Sequence, residues 1–156
     1  MTPEAFADLI GSISRRIEGK ALDRRLEVEL NADFPANGPV FQDVFGACRT
    51  AVAAGWMCNR EAGGIKYGRV LKPGSATHGF SVDVVEMDNV KGPHHRHPNG
   101  EIDMIMPLTP QAKFDGRGAG WLVYGPDSAH SPTVSEGKAL ILYLLPQGEI
   151  EFSKTH

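Results

Sequence analysis

The segment that decides the fold, residues 92–101, reads GPHHRHPNGE. Its histidines His95 and His97 are two positions apart, and on an extended strand residues i and i+2 project to the same face. The Pro-Asn-Gly triplet that follows is a turn signal, which allows the chain to bend back. Glu101 then begins a short apolar run, Ile102–Met106. The pattern predicts two imidazoles and one carboxylate that can reach a common point.

A second segment, Trp121–Pro132, carries a further histidine shortly after a Gly-Pro turn. A hairpin partner strand can bring this residue, His130, opposite the first pair. Imidazole and carboxylate ligands together suit Fe(II), Mn(II), Ni(II), Zn(II) or Cu(II). We therefore predict a divalent transition-metal site formed by His95, His97, Glu101 and His130. A histidine-rich turn can also be a solvated loop, and for His94 we prefer that interpretation or a supporting role.

Most of the 18 glycines and 11 prolines of the sequence lie after Asn37, and they predict many turns in the chain after about Gly63. Short apolar or alternating runs separated by such turns are typical of an antiparallel barrel or sandwich. The predicted strands are Ile65–Leu71, Gly79–Met87, Ile102–Met106, Trp121–Tyr124, Ala139–Leu145 and Ile150–Phe152.

The first 55 residues have helical spacing instead. Thr2-Pro3-Glu4 is a good helix start, and apolar stripes follow over Phe6–Ile17 and Phe41–Val52. The run Leu22–Leu30 fits a helix but also alternates like a strand, and we favour the helix. We thus predict a single domain, residues 1–156, with a helical layer at 1–55 and a β-domain at 56–156.

The composition excludes several classes of partner. With 41% hydrophobic and 22% charged residues and a net charge of −3, the chain has no basic run that would bind nucleic acid. The longest apolar stretch, Ala139–Leu145, is too short to span a bilayer. Cys48 and Cys58 form neither a disulfide framework nor a metal pair, so we expect free thiols in a reducing cytoplasm.

The histidine spacing itself resembles a known pair of motifs. His95-x-His97-x-x-x-Glu101, followed by Pro126-x-x-x-His130, is similar to the two motifs of the cupins. The resemblance implies a mainly β fold, an RmlC-like antiparallel β-barrel or jelly roll.

A closer resemblance covers most of the chain. The segments GPHHRHPNGEIDMIMPL (92–108), FDGRGAGWLVYGPDSAHSPTV (114–134) and ALILYLLPQGEIEF (139–152) resemble those of the 4-hydroxylaminobenzoate lyase family. This resemblance implies a small aromatic carboxylate as substrate, converted from 4-hydroxylaminobenzoate to 3,4-dihydroxybenzoate with release of ammonia.

Such a reaction needs groups that move protons and groups that hold an aromatic acid. Glu101 and His97 are our candidates for acid–base work, and Asp103 joins them because it shares strand parity with Glu101. For the substrate carboxylate we consider three arginines and prefer the first, which lies in a predicted strand: Arg69, Arg96 and Arg117. For a flat wall we consider Trp121, Tyr124 and Tyr143.

Two other functions remain open from the sequence alone. One is a different metal-dependent cupin enzyme, such as an oxygenase acting on an aromatic ring. The other is a non-enzymatic module whose barrel binds a small molecule. Exposed sheet edges invite pairing between copies of a chain, so a homo-oligomer is expected.

Overall fold

The computed structural model describes residues 1–153, and three helices occupy its N-terminal third: α1 (Pro3–Ile17), α2 (Arg24–Asp33) and α3 (Pro39–Ala54). The hydroxyl of Thr2 caps α1 by accepting from the Ala5 amide at 3.1 Å. The ambiguous run at Leu22–Leu30 is confirmed as helical over α2, where Asp23 accepts from the Leu26 amide at 2.9 Å. None of the helices within residues 1–153 is long and apolar enough to cross a bilayer.

The rest of the described chain consists of strands joined by loops and turns, with one short 3₁₀ helix at Ser75–Thr77. The strands are β1 (Arg60–Ala62), β2 (Ile65–Leu71), β3 (Phe80–Lys91), β4 (His95–His97), β5 (Glu101–Pro107), β6 (Lys113–Phe114), β7 (Gly120–Tyr124), β8 (Ser128–His130), β9 (Thr133–Pro146) and β10 (Glu151–Phe152).

Among the described residues all strand pairs are antiparallel, and they form two sheets. The large sheet has the order β1-β2-β3-β9-β5-β7, with β6 beside β9, and the small sheet has the order β10-β4-β8. The prediction of a mainly β, antiparallel fold with an N-terminal helical layer is confirmed. Within the described residues the hydrogen-bonded path of the large sheet does not close into a barrel.

Successive side chains along each strand point to opposite faces of the large sheet, and the two faces have different surroundings. Its outer face packs against the helices and is apolar, as Met104 and Leu142 show, both with no exposed surface. Its inner face carries a second apolar cluster, which includes Ile105 and Tyr143. Residues of β5 with odd numbers therefore point away from the helices.

Helix α2 covers the free edge of the large sheet at β7. The Asn31 amide donates to the Trp121 carbonyl at 3.0 Å and accepts from the Trp121 amide at 2.9 Å. The buried Glu27 carboxylate accepts from the Val123 amide at 3.0 Å. Because unpaired edge groups of a strand cost free energy when buried, these contacts both satisfy β7 and fix the helical layer on the sheet.

Candidate metal centre

Two short strands of the small sheet bring the three histidines together. In the register of β4 and β8, His95 lies opposite His130 and His97 lies opposite Ser128. The chain then turns at Gly100, whose φ of 89° is left-handed. A Cβ at this position would lie 2.7 Å from the Tyr124 carbonyl oxygen, so the turn that leads into β5 requires glycine.

Glu101, the first residue of β5, points its carboxylate at the three imidazoles. Its Oε1 lies 3.3 Å from His95 Nε2 and 3.2 Å from His97 Nε2, and its Oε2 lies 3.4 Å from His130 Nε2. One potential ligand atom from each of the four residues lies within 4.8 Å of the others. The structure thus brings together the four residues that the sequence predicted as a metal site.

The contacts inside this cluster leave buried polar atoms without partners. His97 Nε2 and Glu101 Oε2 have no hydrogen-bond partner in the described part of the chain, although both residues are fully buried. The Nε2 atoms of His95 and His130 face each other at 3.2 Å, which leaves no room for a proton on each. Buried polar atoms are normally paired, and three nitrogens with one carboxylate are a donor set for a transition metal. The residues therefore fit such an ion.

The outward nitrogens of His95 and His97 contact hydrogen-bond acceptors. His95 Nδ1 lies 3.3 Å from the Pro93 carbonyl oxygen, which can only accept. His97 Nδ1 lies 2.9 Å from the Ser128 hydroxyl, and that hydroxyl donates its own proton to the Gly125 carbonyl at 2.6 Å. Both imidazoles must therefore carry their proton on Nδ1, which leaves the Nε2 lone pairs directed at the centre of the cluster.

His130 is held in the same way, but by a charged group. Its Nδ1 lies 2.6 Å from Oδ2 of Asp115, which also accepts from the Tyr124 hydroxyl at 2.6 Å. The other carboxylate oxygen of Asp115 accepts from the Thr133 amide at 2.9 Å. Asp115 is not among the site residues predicted from the sequence. The Asp-Gly dipeptide at 115–116 is a signal for a two-residue hairpin turn that could have drawn attention to it.

The carboxyl groups around the cluster have displaced pKa values. Burial would raise the pKa of Glu101, but the imidazoles of His130, His95 and His97 beside its carboxylate outweigh this effect and hold the pKa well below its usual range. Burial, together with the charge of Glu101, raises the pKa of Asp103 well above its usual range. Burial would lower the pKa of His130, but its carboxylate neighbours raise it to about 9.

A cavity of about 770 Å³ opens beside the cluster, between the inner face of the large sheet and the small sheet. His95 and Tyr143 line its inner part, and Arg69 and Asp83 contribute polar groups to its wall. Phe152 of β10 forms part of the opposite side. A mostly apolar cavity with a few polar groups, next to a cluster of metal-binding residues, is the usual arrangement of a small-molecule site.

The other residues that the sequence suggested lie in different places. Trp121 is on the outer face, where its indole donates to the Phe34 carbonyl at 2.9 Å, so the structure does not bring it to the cavity. Arg96 points away and pairs with Glu151 and Asp127. The remaining three, His94, Arg117 and Tyr124, also lie outside the cavity lining: they contact Ser153, Glu27 and Asp115 respectively.

Asp103 lies on the same face of β5 as Glu101, as its parity predicted. Its carboxyl group is completely buried, and neither oxygen has a hydrogen-bond partner among residues 1–153. In the sheet it is flanked by Leu122 on β7 and Tyr143 on β9. An unpaired carboxyl group in such surroundings is stable only in its neutral form.

Comparison with known proteins identifies the group to which this fold and cluster belong. The family model described as 4-hydroxylaminobenzoate lyase matches residues 8–152. The chain belongs to this family. A family member from Nocardioides sp. (strain LMS-CY) is 31% identical over 163 residues, covering 99% of this chain and 96% of that protein. Another, from Pseudomonas putida, is 30% identical and covers 88% of each chain. Both carry the name 4-hydroxylaminobenzoate lyase.

Solved structures show weaker similarity. An RmlC-like cupin protein from Ralstonia eutropha JMP134 aligns with a TM-score of 0.43 and 13% identity, over 60% of this chain and 62% of the other. The polyketide cyclase RemF from Streptomyces resistomycificus aligns with a TM-score of 0.44 and 11% identity, over 61% and 75%. Similarity at this level bears on neither substrate nor activity.

Proposed function

We propose that the protein is a metal-dependent 4-hydroxylaminobenzoate lyase that produces 3,4-dihydroxybenzoate and ammonia. The observation that carries the proposal is the convergence of His95, His97, Glu101 and His130 on one buried point beside a cavity. Membership of a lyase family of that name supports the choice of substrate.

The proposed reaction is balanced by water alone. One 4-hydroxylaminobenzoate and one water give one 3,4-dihydroxybenzoate and one ammonia, with no net oxidation or reduction. The N–O bond must break, oxygen from water must reach the ring, and the nitrogen must leave by hydrolysis. No oxygen molecule is consumed, which distinguishes this enzyme from a ring-cleaving or ring-hydroxylating cupin.

The four cluster residues would hold a divalent transition metal from the group Fe, Mn, Ni, Zn and Cu. Such an ion, when bound, supplies a Lewis acid for the hydroxylamine oxygen or lowers the pKa of a bound water. His95 is the cluster residue that lines the cavity, so we propose that substrate reaches the cluster from its side. The deeper position of His97 and Glu101, both fully buried, keeps bulk water from the opposite side.

We propose that Asp103 handles protons around the departing oxygen and the incoming water, and that Glu101 and His97 would share this role if the enzyme works without a bound metal. Asp103 is suited to this because its buried carboxyl group has no competing partner in the described chain and lies on the Glu101 side of β5. Replacement Asp103→Asn keeps the shape but removes the exchangeable acid, so kcat should fall about 10²-fold. Unchanged kcat in that variant would remove Asp103 from the mechanism.

The substrate ring and its carboxylate need their own contacts. We propose that Tyr143, which lines the inner part of the cavity, packs against the ring, and that Arg69 binds the carboxylate. The Arg69 guanidinium already donates to Asp83 at 2.8 Å and 3.2 Å and to the Gly148 carbonyl at 3.2 Å. These contacts orient the guanidinium but offset its charge. Arg60, also in the cavity lining, makes no ion pair within residues 1–153.

We also propose that the enzyme works in the cytoplasm and forms a homo-oligomer. The buried free thiols Cys48 and Cys58 suit the cytoplasm. Strand β1 is exposed at the edge of the large sheet, which suits pairing in a homo-oligomer. Light scattering that gives the mass of a single chain at micromolar concentration would refute the oligomer.

The experiment that tests the function is an anaerobic assay with purified protein and 4-hydroxylaminobenzoate. We expect equal amounts of ammonia and 3,4-dihydroxybenzoate, and in a parallel aerobic assay no oxygen uptake beyond the blank. Oxygen uptake in proportion to turnover would indicate an oxygenase instead. Saturable binding of the substrate with no turnover in metal-loaded protein would indicate a binding module.

A further inference from the structure

Asp115 contacts the cluster through His130, and the proposed function assigns it no role. It lies in a tight hairpin, in which Phe114 and Arg117 exchange both backbone hydrogen bonds, at 2.8 Å and 2.9 Å. The two central residues, Asp115 and Gly116, have φ values of 49° and 81°. These are the left-handed values of a type I′ turn, in which Asp-Gly is favoured. The turn therefore fixes the Asp115 backbone and the direction of its side chain.

The carboxylate of Asp115 accepts three hydrogen bonds within the described chain. The Tyr124 hydroxyl, the Thr133 amide and His130 Nδ1 lie at 2.6, 2.9 and 2.6 Å from its oxygens. The Thr133 amide can only donate, and with the carboxylate ionised the other two groups donate as well. When its ring is neutral, as that of a metal ligand must be, His130 consequently carries its single proton on Nδ1 and turns an unprotonated Nε2 towards Glu101 and His95.

We propose that Asp115 is a positioning residue of the metal centre, which fixes His130 in the tautomer and orientation that bind a metal. The inference rests on the proposed metal site. A ligating histidine normally depends on the partner of its other nitrogen, and a carboxylate partner both orients the ring and increases its basicity. The Nδ1 atoms of His95 and His97 contact only uncharged partners, a carbonyl and a hydroxyl respectively. His130 is therefore the ligand whose donor strength is increased most.

The variant Asp115→Asn tests this assignment because asparagine accepts the left-handed turn and keeps the size of the side chain. Its amide cannot satisfy all three donors. If its NH2 group faces Thr133, two donors collide. If its NH2 group faces His130, it donates to Nδ1 and moves the imidazole proton to Nε2, where the metal should bind. The control is Tyr124→Phe, which removes another donor from the same carboxylate and leaves the contact with His130.

The measurement is competition for Zn²⁺ between each protein and a chromophoric chelator. The ¹⁵N chemical shifts of the His130 ring are recorded on metal-free protein at a pH high enough that the ring is neutral. We expect Asp115→Asn to bind Zn²⁺ about 10- to 100-fold more weakly than the unmodified protein, and Tyr124→Phe to stay within about threefold. We also expect Nδ1-protonated His130 in the unmodified protein and in Tyr124→Phe, and a changed ring protonation in Asp115→Asn.

Three results would overturn or confine the inference. Equal Zn²⁺ affinity of Asp115→Asn and the unmodified protein would refute the positioning role and leave the metal site standing. Equal losses in both variants would show that Asp115 serves only the local fold. Absence of Zn²⁺ binding by the unmodified protein would refute the metal site, and His130 shifts that are the same in all three proteins would then refute the tautomer assignment independently.

Discussion

The two faces of the large sheet differ in how their buried residues are paired, and strand β5 contributes to both. Its even-numbered residues, Ile102, Met104 and Met106, are completely buried against the helical side. Two of its odd-numbered residues, Glu101 and Asp103, are equally buried but polar and incompletely paired within the described chain. Apolar burial stabilises the fold, whereas unpaired buried carboxyl groups cost free energy. The outer face thus stabilises the structure throughout, whereas the inner face carries destabilising buried carboxyl groups at the candidate metal site.

Replacement of His97 by alanine should have the largest effect on turnover, and it changes only the inner face. A ligand and a candidate acid–base group are lost together, so turnover should fall at least about 10³-fold. The melting temperature should change by only a few degrees, because the helical side is untouched. Steady-state ammonia release and a thermal melt check both expectations. Normal turnover in His97→Ala would refute the assigned centre.

The matched change on the outer face is Met104→Ala, on the same strand. Loss of a fully buried side chain should reduce the free energy of unfolding by about 2–5 kcal/mol. Well below the melting temperature, kcat and KM should remain close to those of the unmodified protein. Urea denaturation measures the first quantity. A large loss of kcat in folded Met104→Ala would show that the two faces are not separable.

A smaller effect is expected within the cavity. Arg69 is paired with Asp83 there, whereas Arg60 makes no ion pair within residues 1–153. Arg69→Ala should raise KM for 4-hydroxylaminobenzoate about tenfold and leave KM for hydroxylaminobenzene, which has no carboxylate, nearly unchanged. Arg60→Ala is the matched control. If only Arg60→Ala shows this dependence on the carboxylate, the carboxylate contact belongs to Arg60.

The smallest effect concerns the thiols behind the outer face. Burial raises the pKa of Cys48 and of Cys58 from 9.0 to about 12. Between pH 9 and pH 12 the folded protein retains thiol protons that the unfolded chain has lost. The contribution of the two buried thiols to stability is therefore fully present below pH 9 and declines as the pH rises towards 12. Native protein at pH 8 should therefore react with a thiol reagent only after denaturant is added. Rapid labelling without denaturant would contradict this.

The sequence was sufficient to predict the cluster because its members follow local rules. His95 and His97 share a face through the two-residue period of a strand, and the turns before Glu101 and His130 bring the other two ligands opposite. The helical layer was predictable from its caps and apolar stripes. The confirmed mainly β class followed from regularly spaced turns.

The positions that the sequence did not predict depend on long-range contacts. Strand β7 reads GWLVY and is apolar on both faces, so periodicity alone cannot tell that Trp121 faces the helices. Asp115 is 15 residues from His130 along the chain, and only the folded hairpin joins them. The neutralisation of Arg69 likewise depends on a residue of a neighbouring strand.

The central claim is that three imidazoles and one glutamate form a metal centre that this enzyme needs. Ammonia release from 4-hydroxylaminobenzoate, measured before and after removal of bound metal with a chelator, tests it most directly. We predict that activity is lost with the metal and returns when about one equivalent of a divalent transition metal per chain is restored. Full activity of rigorously metal-free protein would contradict the account.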